Sequence, residues 1–310
     1  MKKMNEPVGQ HIVPKCYLKN FAVEKRREES FVDVLFRQNK DRKIHRQNVK
    51  NICKIHEYYT FDELPEDEKR WLEKYYSHHI ENIYPEIYRT LTDDSIESIT
   101  PEFKMKILVF VIAQELRTPK LAEALNSISD RTIEYAFLAH EQLGTEKKLY
   151  SEDGKEDIDF EGKTLEEAQK KSSNSNRQIA NLESVRRLKR IAELKMDYHI
   201  FVTKYNGDEG LISSDRPVHT DWPLYNPDGK ISFPIDRTHM VSFYPFDNDL
   251  ASDPMQILRL EYTENASPPF VYLYNMRQVE KADRYIYGHK DDISETLDRY
   301  DAMVVASKSD

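Results

Sequence analysis

Apolar positions along the chain follow two periods, and the period switches twice. After a first turn, residues 10–61 favour strands. Residues 31–36 (FVDVLF) have the length and composition of a strand, 39–42 read as a polar turn, and 44–45 with 52–61 continue a hairpin or small sheet. Over residues 64–92 the spacing becomes three and four. Trp71, Leu72, Tyr75, Tyr76, His79, Ile80, Ile83 and Ile87 form a buried helix stripe, entered at Pro65 and bounded or kinked at Pro85. The clearest helix spans 100–117. Thr100 caps it, Pro101 takes its first position, and residues 107–112 are apolar all round, which predicts burial on every side. Thr118-Pro119 should end it, and a further helix covers about 120–143.

Residues 144–176 are polar and read as a mobile insertion, or as surface loops around a short helix at 165–171. A long helix follows over about 178–195. The period then returns to two. Residues 198–205 form a strand, 206–210 a hairpin turn and 211–214 the returning strand, with further strands at 231–235, 240–244 and 257–262. Pro268-Pro269 opens a final helical or extended passage through Asn275 and Arg284. Strands, then helices, then strands predict an α+β protein, with a mixed or antiparallel β-sheet packed against a helical middle region. The expected layout is a single compact domain over 1–310: β-rich at 10–61, helical at 64–197 with the insertion at 144–176, β-rich at 198–265, and a last segment from 268.

Composition narrows the chemistry. Charged residues make up 33% of the 310, above the roughly 25% usual in soluble domains, which fits long charge-decorated helices. The net charge of −9 argues against a protein that coats nucleic acid nonspecifically. Local basic stretches at 37–54 and 186–190 leave room for a groove, although each also reads as a solvated face. Two cysteines, Cys16 and Cys53, make thiolate zinc sites and disulfide stapling unexpected and fit a reducing cytoplasm. The longest apolar run, 107–113, is far short of the roughly 20 residues that span a bilayer. The first residues, with no apolar stretch behind their lysines, do not read as a signal peptide. The expected protein is cytoplasmic, with no membrane partner. Only 8 glycines occur, and no Gly-x-Gly-x-x-Gly or Walker-type loop, so dinucleotide and ordinary nucleoside-triphosphatase folds drop out.

Four blocks stand out in order. They are Gln10-His11-Ile12-Val13-Pro14-Lys15-Cys16-Tyr17-Leu18-Lys19-Asn20-Phe21-Ala22; residues 111–119, ending Gln114-Glu115-Leu116-Arg117-Thr118-Pro119; residues 211–218 around Ser213-Ser214-Asp215-Arg216-Pro217; and Phe233-Pro234-Ile235 followed by Asn275 and Ala282. Together they resemble a bacterial family known only as a domain of unknown function, DUF4238. Arg216 stands where that family more usually has Asn. The resemblance implies one fold for most of the chain and no activity.

The candidate chemistry comes from polar residues set in apolar surroundings. Gln114 and Arg117, three apart, share a helix face. A buried Arg needs an anionic partner, and Asp215, at a strand end, is the expected one. In one reading Arg117 clamps a phosphate or carboxylate, with Gln10, Gln114 and Ser214 as further substrate-binding groups. Asp215 is then a general base or metal ligand, and His11 carries a proton. That site would belong to a hydrolase or transferase acting on a phosphate-containing substrate, nucleic acid among the candidates. In the other reading the same residues form a buried latch in a noncatalytic interaction or structural protein. His78, His79 and Glu81 supply too few ligands for a metal site, and none is assigned. Cofactor and oligomeric state stay open. A latch should be dry and fully paired, whereas a site should open into a cleft with unpaired donors.

Overall fold

The computed structural model describes residues 9–39, 41–145, 148–150, 156–263 and 270–306. The lysine-bearing start of the chain, Lys40 of the expected turn, the polar run 151–155 and Pro268-Pro269 lie outside them. The architecture is α+β, with about 46% helix and 20% strand.

Two five-stranded sheets carry most of the β structure. The first is built from β8 (His199–Tyr205), β10 (His219–Thr220), β11 (Ile231–Pro234), β12 (His239–Tyr244) and β13 (Ile257–Tyr262), in the order β10-β11-β12-β8-β13. Only the β8–β13 pair is parallel. The second is antiparallel and joins distant parts of the chain: β2 (Glu24–Arg26), β3 (Glu29–Phe36), β4 (Ile44–Asn48), β9 (Ser213–Ser214) and β14 (Tyr285–Gly288). Two short ladders stand apart: β1 (Gly9–His11) with β5 (Lys54–His56), and β6 (Lys148–Tyr150) with β7 (Glu156–Asp159).

The expected hairpin at 198–214 does not form. β8 stays in the first sheet, while β9 crosses to the second and pairs with β14. After the 206–210 turn, Leu211 donates its N–H to Arg237 O at 2.7 Å and Ile212 to Asn275 Oδ1 at 3.0 Å, so the backbone finds partners other than β8. A turn signal fixes a reversal of direction, not the sheet that receives the next strand.

Between the β regions run α2 (Trp71–Tyr75), α3 (Tyr84–Thr92), α4 (Pro101–Leu116), α5 (Lys120–Leu143) and α6 (Leu165–Leu194). The expected stripe at 64–92 breaks at a π-helical turn, Tyr76–Glu81, before Pro85 enters the first turn of α3. Helix α4 starts as expected, with Thr100 Oγ1 accepting from Phe103 N at 3.2 Å. Its interior is buried, and so is Lys104, whose Nζ donates to Pro254 O at 2.7 Å and to Tyr198 O. Helix α6 is continuous over thirty residues, which corrects the expectation of loops and separate helices across 164–195. Its Thr164–Glu167 capping box starts it, and its Ser/Asn run packs along α5 as a polar seam. Asn176 Nδ2 donates to Asn126 Oδ1 (3.0 Å) and Ser129 Oγ (2.8 Å), and Asn126 Nδ2 donates to Ser173 Oγ (3.1 Å). Among the described residues, no helix is long and apolar enough to cross a membrane.

One large apolar cluster runs from Ile12 to Tyr287 and takes in α4, both sheets and the start of the chain. Val13, Tyr17, Leu18 and Phe21 are all buried in it. Val13 leads into α1 (Lys15–Leu18), and the whole stretch docks against the core. Helices α7 (Phe270–Lys281) and α8 (Lys290–Ala306) close a smaller cluster over Leu35, Ile212 and Ile286.

Candidate active site

The four sequence blocks interlock in two places. Tyr17, from the first block, exchanges a hydrogen bond with Ser213 of the third (2.9 Å) and donates to Pro234 O of the fourth (2.8 Å). Arg117, from the second, donates through Nη2 to the backbone oxygen of His11 at 2.7 Å. The blocks are therefore close because they hold one another.

Arg117 is 2% exposed, and each of its guanidinium nitrogens has a partner. Nε donates to Tyr59 Oη (3.1 Å), Nη1 to Glu81 Oε1 (2.9 Å) and Nη2 to His11 O. The rings of Tyr76 and Tyr59 flank the cation, with centroids 4.5 and 5.5 Å away. Its acidic partner is Glu81, at the end of the π-helical turn, and not Asp215. The sequence grouped Glu81 with His78 and His79, but only Glu81 turns inward; His78 is exposed with Nδ1 on Lys74 O at 2.8 Å.

Asp215 is engaged elsewhere. Its two carboxylate oxygens accept from the backbone N–H groups of Asp283 (3.0 Å) and Arg284 (2.8 Å), capping the passage from α7 into β14. Burial pushes its carboxyl up to about 6, against the pull of those N–H groups. Ser214 donates to Gln278 Oε1 at 2.7 Å and accepts from Arg216 N. Arg216 itself sits 3.5 Å from Asp283 Oδ1. Gln10 is fully buried, accepting from Tyr59 N and donating to Thr60 Oγ1 (3.3 Å) and Glu73 Oε2 (3.0 Å). Gln114 turns back on its own helix, Nε2 to Phe110 O at 3.0 Å. The structure thus joins His11 and Arg117, sets Gln10 in the same ladder, and leaves Asp215 and Ser214 bonded to the β14 side.

Two of these residues, His11 and Arg117, line a cleft. It encloses about 180 Å³ and is lined by Gly9, His11, Lys15, Lys50, Lys54, Glu73, Ser77, Glu81 and Arg117. Local folding explains the assembly. The β1–β5 register sets His11 directly opposite Lys54, so the two side chains share a face. Pro14, at the N-cap, starts α1, which brings in Lys15. Asn48 caps the 3₁₀ turn Val49–Asn51 through Lys50 N (3.0 Å), and the same turn presents Val49 O to His11 Nε2 at 3.4 Å. Glu73, Ser77 and Glu81, four apart, supply the opposite wall.

The cleft has an excess of positive charge, with Lys15, Lys50, Lys54 and Arg117 set against Glu73 and Glu81. Lys50 pairs with Glu29, but among the described residues Lys15 and Lys54 have no acidic partner. The Lys54 ammonium is held below its usual range by partial burial and by Lys15 and Lys50. His11 is lowered to about 3 by burial, then by Lys54 and Lys15, with Arg117 adding to the effect. The imidazole is therefore neutral at pH 7. With Nε2–H given to Val49 O, its Nδ1 lone pair remains an acceptor. Cys16 is not a ready nucleophile, because burial pushes its thiol up to about 12.

The lysines were not picked out from the sequence. Lys15 lies inside the first block, and Lys50 and Lys54 end the basic stretch 37–54, but nothing in the spacing says that a ladder will bring them to His11. A model of the family described as "Protein of unknown function (DUF4238)" matches residues 9–292. No curated protein and no solved structure matches the chain.

Proposed function

We propose that this chain, which belongs to the DUF4238 family of proteins of unknown function, binds a phosphate-bearing ligand in the His11 cleft and acts on it as a hydrolase or transferase. The observation that carries this reading is the gathering of Lys15, Lys50 and Lys54 around one small cleft, two of them without an acidic partner among the described residues. Like charges held together are unfavourable until an anion enters, and three ammonium groups with a neutral imidazole suit a phosphate. Arg117 is then a positioning residue that fixes the His11 backbone, and the lysines make the contact. His11 is the proton carrier. An anion beside it would offset the lysines, raise its pKa and make it a better base. Ser77 or a water is the candidate nucleophile. Among the described residues the cleft lining offers no aromatic ring on which a base could stack, so a small phosphorylated molecule fits better than a nucleic-acid strand.

The saturation of Arg117, Gln10, Asp215 and Ser214 favours a second reading for those residues: a buried latch with no part in chemistry. In its pure form that reading predicts no ligand at all. Calorimetry with inorganic phosphate separates the two. Saturable binding that weakens at least tenfold in both Lys54→Ala and Lys15→Ala supports the site. No binding at millimolar phosphate, or binding unchanged in both variants, leaves only the latch. Turnover of p-nitrophenyl phosphate lost in His11→Asn, with phosphate binding retained, would support the catalytic step; turnover unaffected by that change refutes it.

A further inference from the structure

A second and larger cleft lies on the other side of the Arg117-Thr118-Pro119 corner and shares no lining residue with the first. It encloses about 540 Å³, a size typical of small-molecule sites, between the end of α4, the start of α5, α6, the 220–225 loop and the last residue of α7. The corner serves both clefts: Arg117 lines the smaller one, while Glu115 and Thr118 line the larger space.

Three features of the lining point to a ligand. Trp222 and Tyr225 both line the cleft and are 57% and 70% exposed, aromatic side chains left open to solvent. The loop that holds them is firmly built: Lys230 N donates to Asp221 Oδ1 at 2.6 Å, Asn226 N to Pro223 O at 2.8 Å, and Asp228 N to Asn226 Oδ1 at 2.9 Å. A Cβ at Gly229 would come within 3.2 Å of Trp222 Cβ, so glycine there lets the loop close on itself. Second, Glu115 Oε2 is buried and, among the described residues, has no hydrogen-bond partner. A buried carboxylate oxygen without a donor is costly, and because Glu115 lines the cleft a small turn of its side chain would offer the carboxylate to a ligand N–H. Third, Lys281 and Lys120 supply positive charge. The Lys281 ammonium, donating to Val218 O at 3.1 Å, is kept below its usual range by burial, opposed by Glu115 and reinforced by Arg216, Lys120 and Arg277.

We propose that this cleft binds a flat aromatic ligand carrying an N–H donor and an acidic group, the chemistry of a purine nucleoside monophosphate. The ring stacks on Trp222 or Tyr225, its N–H donates to the Glu115 carboxylate, and its acidic group meets Lys281 and Lys120. The site stands independently of the phosphate reading of the His11 cleft.

Guanosine 5′-monophosphate is the probe, because its base presents adjacent N–H donors to a carboxylate. Calorimetry should give saturable binding to the full chain that persists in Lys54→Ala, so that the smaller cleft is not its source. Affinity should fall at least tenfold in Glu115→Gln and in Lys281→Met. Lys120→Ala, at an exposed position, should weaken it with no risk to folding. Guanosine and inorganic phosphate should each bind at least tenfold more weakly. The proposal is overturned by any of three results. These are no binding at millimolar concentration, equal binding by inorganic phosphate, or wild-type affinity in Glu115→Gln and Lys120→Ala chains whose circular dichroism is native.

Discussion

Arg117 shows how one side chain settles the geometry around it. It is buried, it bonds three groups from three separate stretches of the chain, and two tyrosine rings cover it. Truncation strands Glu81 and releases the His11 carbonyl. Arg117→Ala is therefore expected to destabilise the fold by about 3–5 kcal/mol, the cost of breaking a buried charged pair. Arg117→Lys should recover little, since an ammonium cannot reproduce three directed N–H bonds; urea unfolding measures both. His11 gives a pH signature. Its folded pKa of about 3 lies below the ordinary 6.5. Between those values the unfolded chain holds a proton that the folded chain lacks, so the native state loses stability as pH falls from about 6.5 to about 3. Above 6.5 this group contributes no slope. His11→Asn should flatten that part of a stability–pH curve measured by denaturant unfolding, and an unchanged slope would show that His11 is not held neutral.

At the scale of elements, the α5–α6 pair is held partly by a polar seam. Asn176 donates to both Asn126 and Ser129, so Asn176→Ala should cost about 1–3 kcal/mol for the two seam bonds lost. Hydrogen exchange should quicken in the facing turns of α5 and α6 before it changes in β8. This seam also explains what could and could not be read from the chain. Helix α4 was legible because Thr100 and Pro101 mark its start and its apolar interior needs no partner to be recognised. Helix α6 was not, because Ser172 to Asn176 look like a loop until Asn126 and Ser129 arrive from α5. The crossing of β9 into the second sheet was hidden for a related reason: its partner, β14, lies some seventy residues on. The candidate site divides along the same line. His11 and Arg117 were legible as polar residues in apolar blocks. The Arg117–Glu81 pair and the Lys54–His11 face depend on long-range packing that no local spacing encodes.

For the whole molecule, the first block is a hub. Through Tyr17 it ties the two large sheets together, and through His11 it meets the helical middle at Arg117. The same docking that buries Val13, Leu18 and Phe21 sets His11 and Lys15 at the rim of an electropositive cleft on a chain whose net charge is −9. Lysines that have no acidic partner among the described residues, set around a neutral histidine, give a local field opposite to the overall charge, and the proposed small-anion ligand rests on that field. The central claim is that an anion belongs in this cleft, and the His11 imidazole reports on it directly. Its ring resonances, followed by NMR from pH 3 to 8 in chloride and again with saturating inorganic phosphate, should give an apparent pKa near 3 without phosphate and at least one unit higher with it. Phosphate affinity should strengthen as pH falls through that interval. A His11 titration that is the same in both buffers would contradict the account.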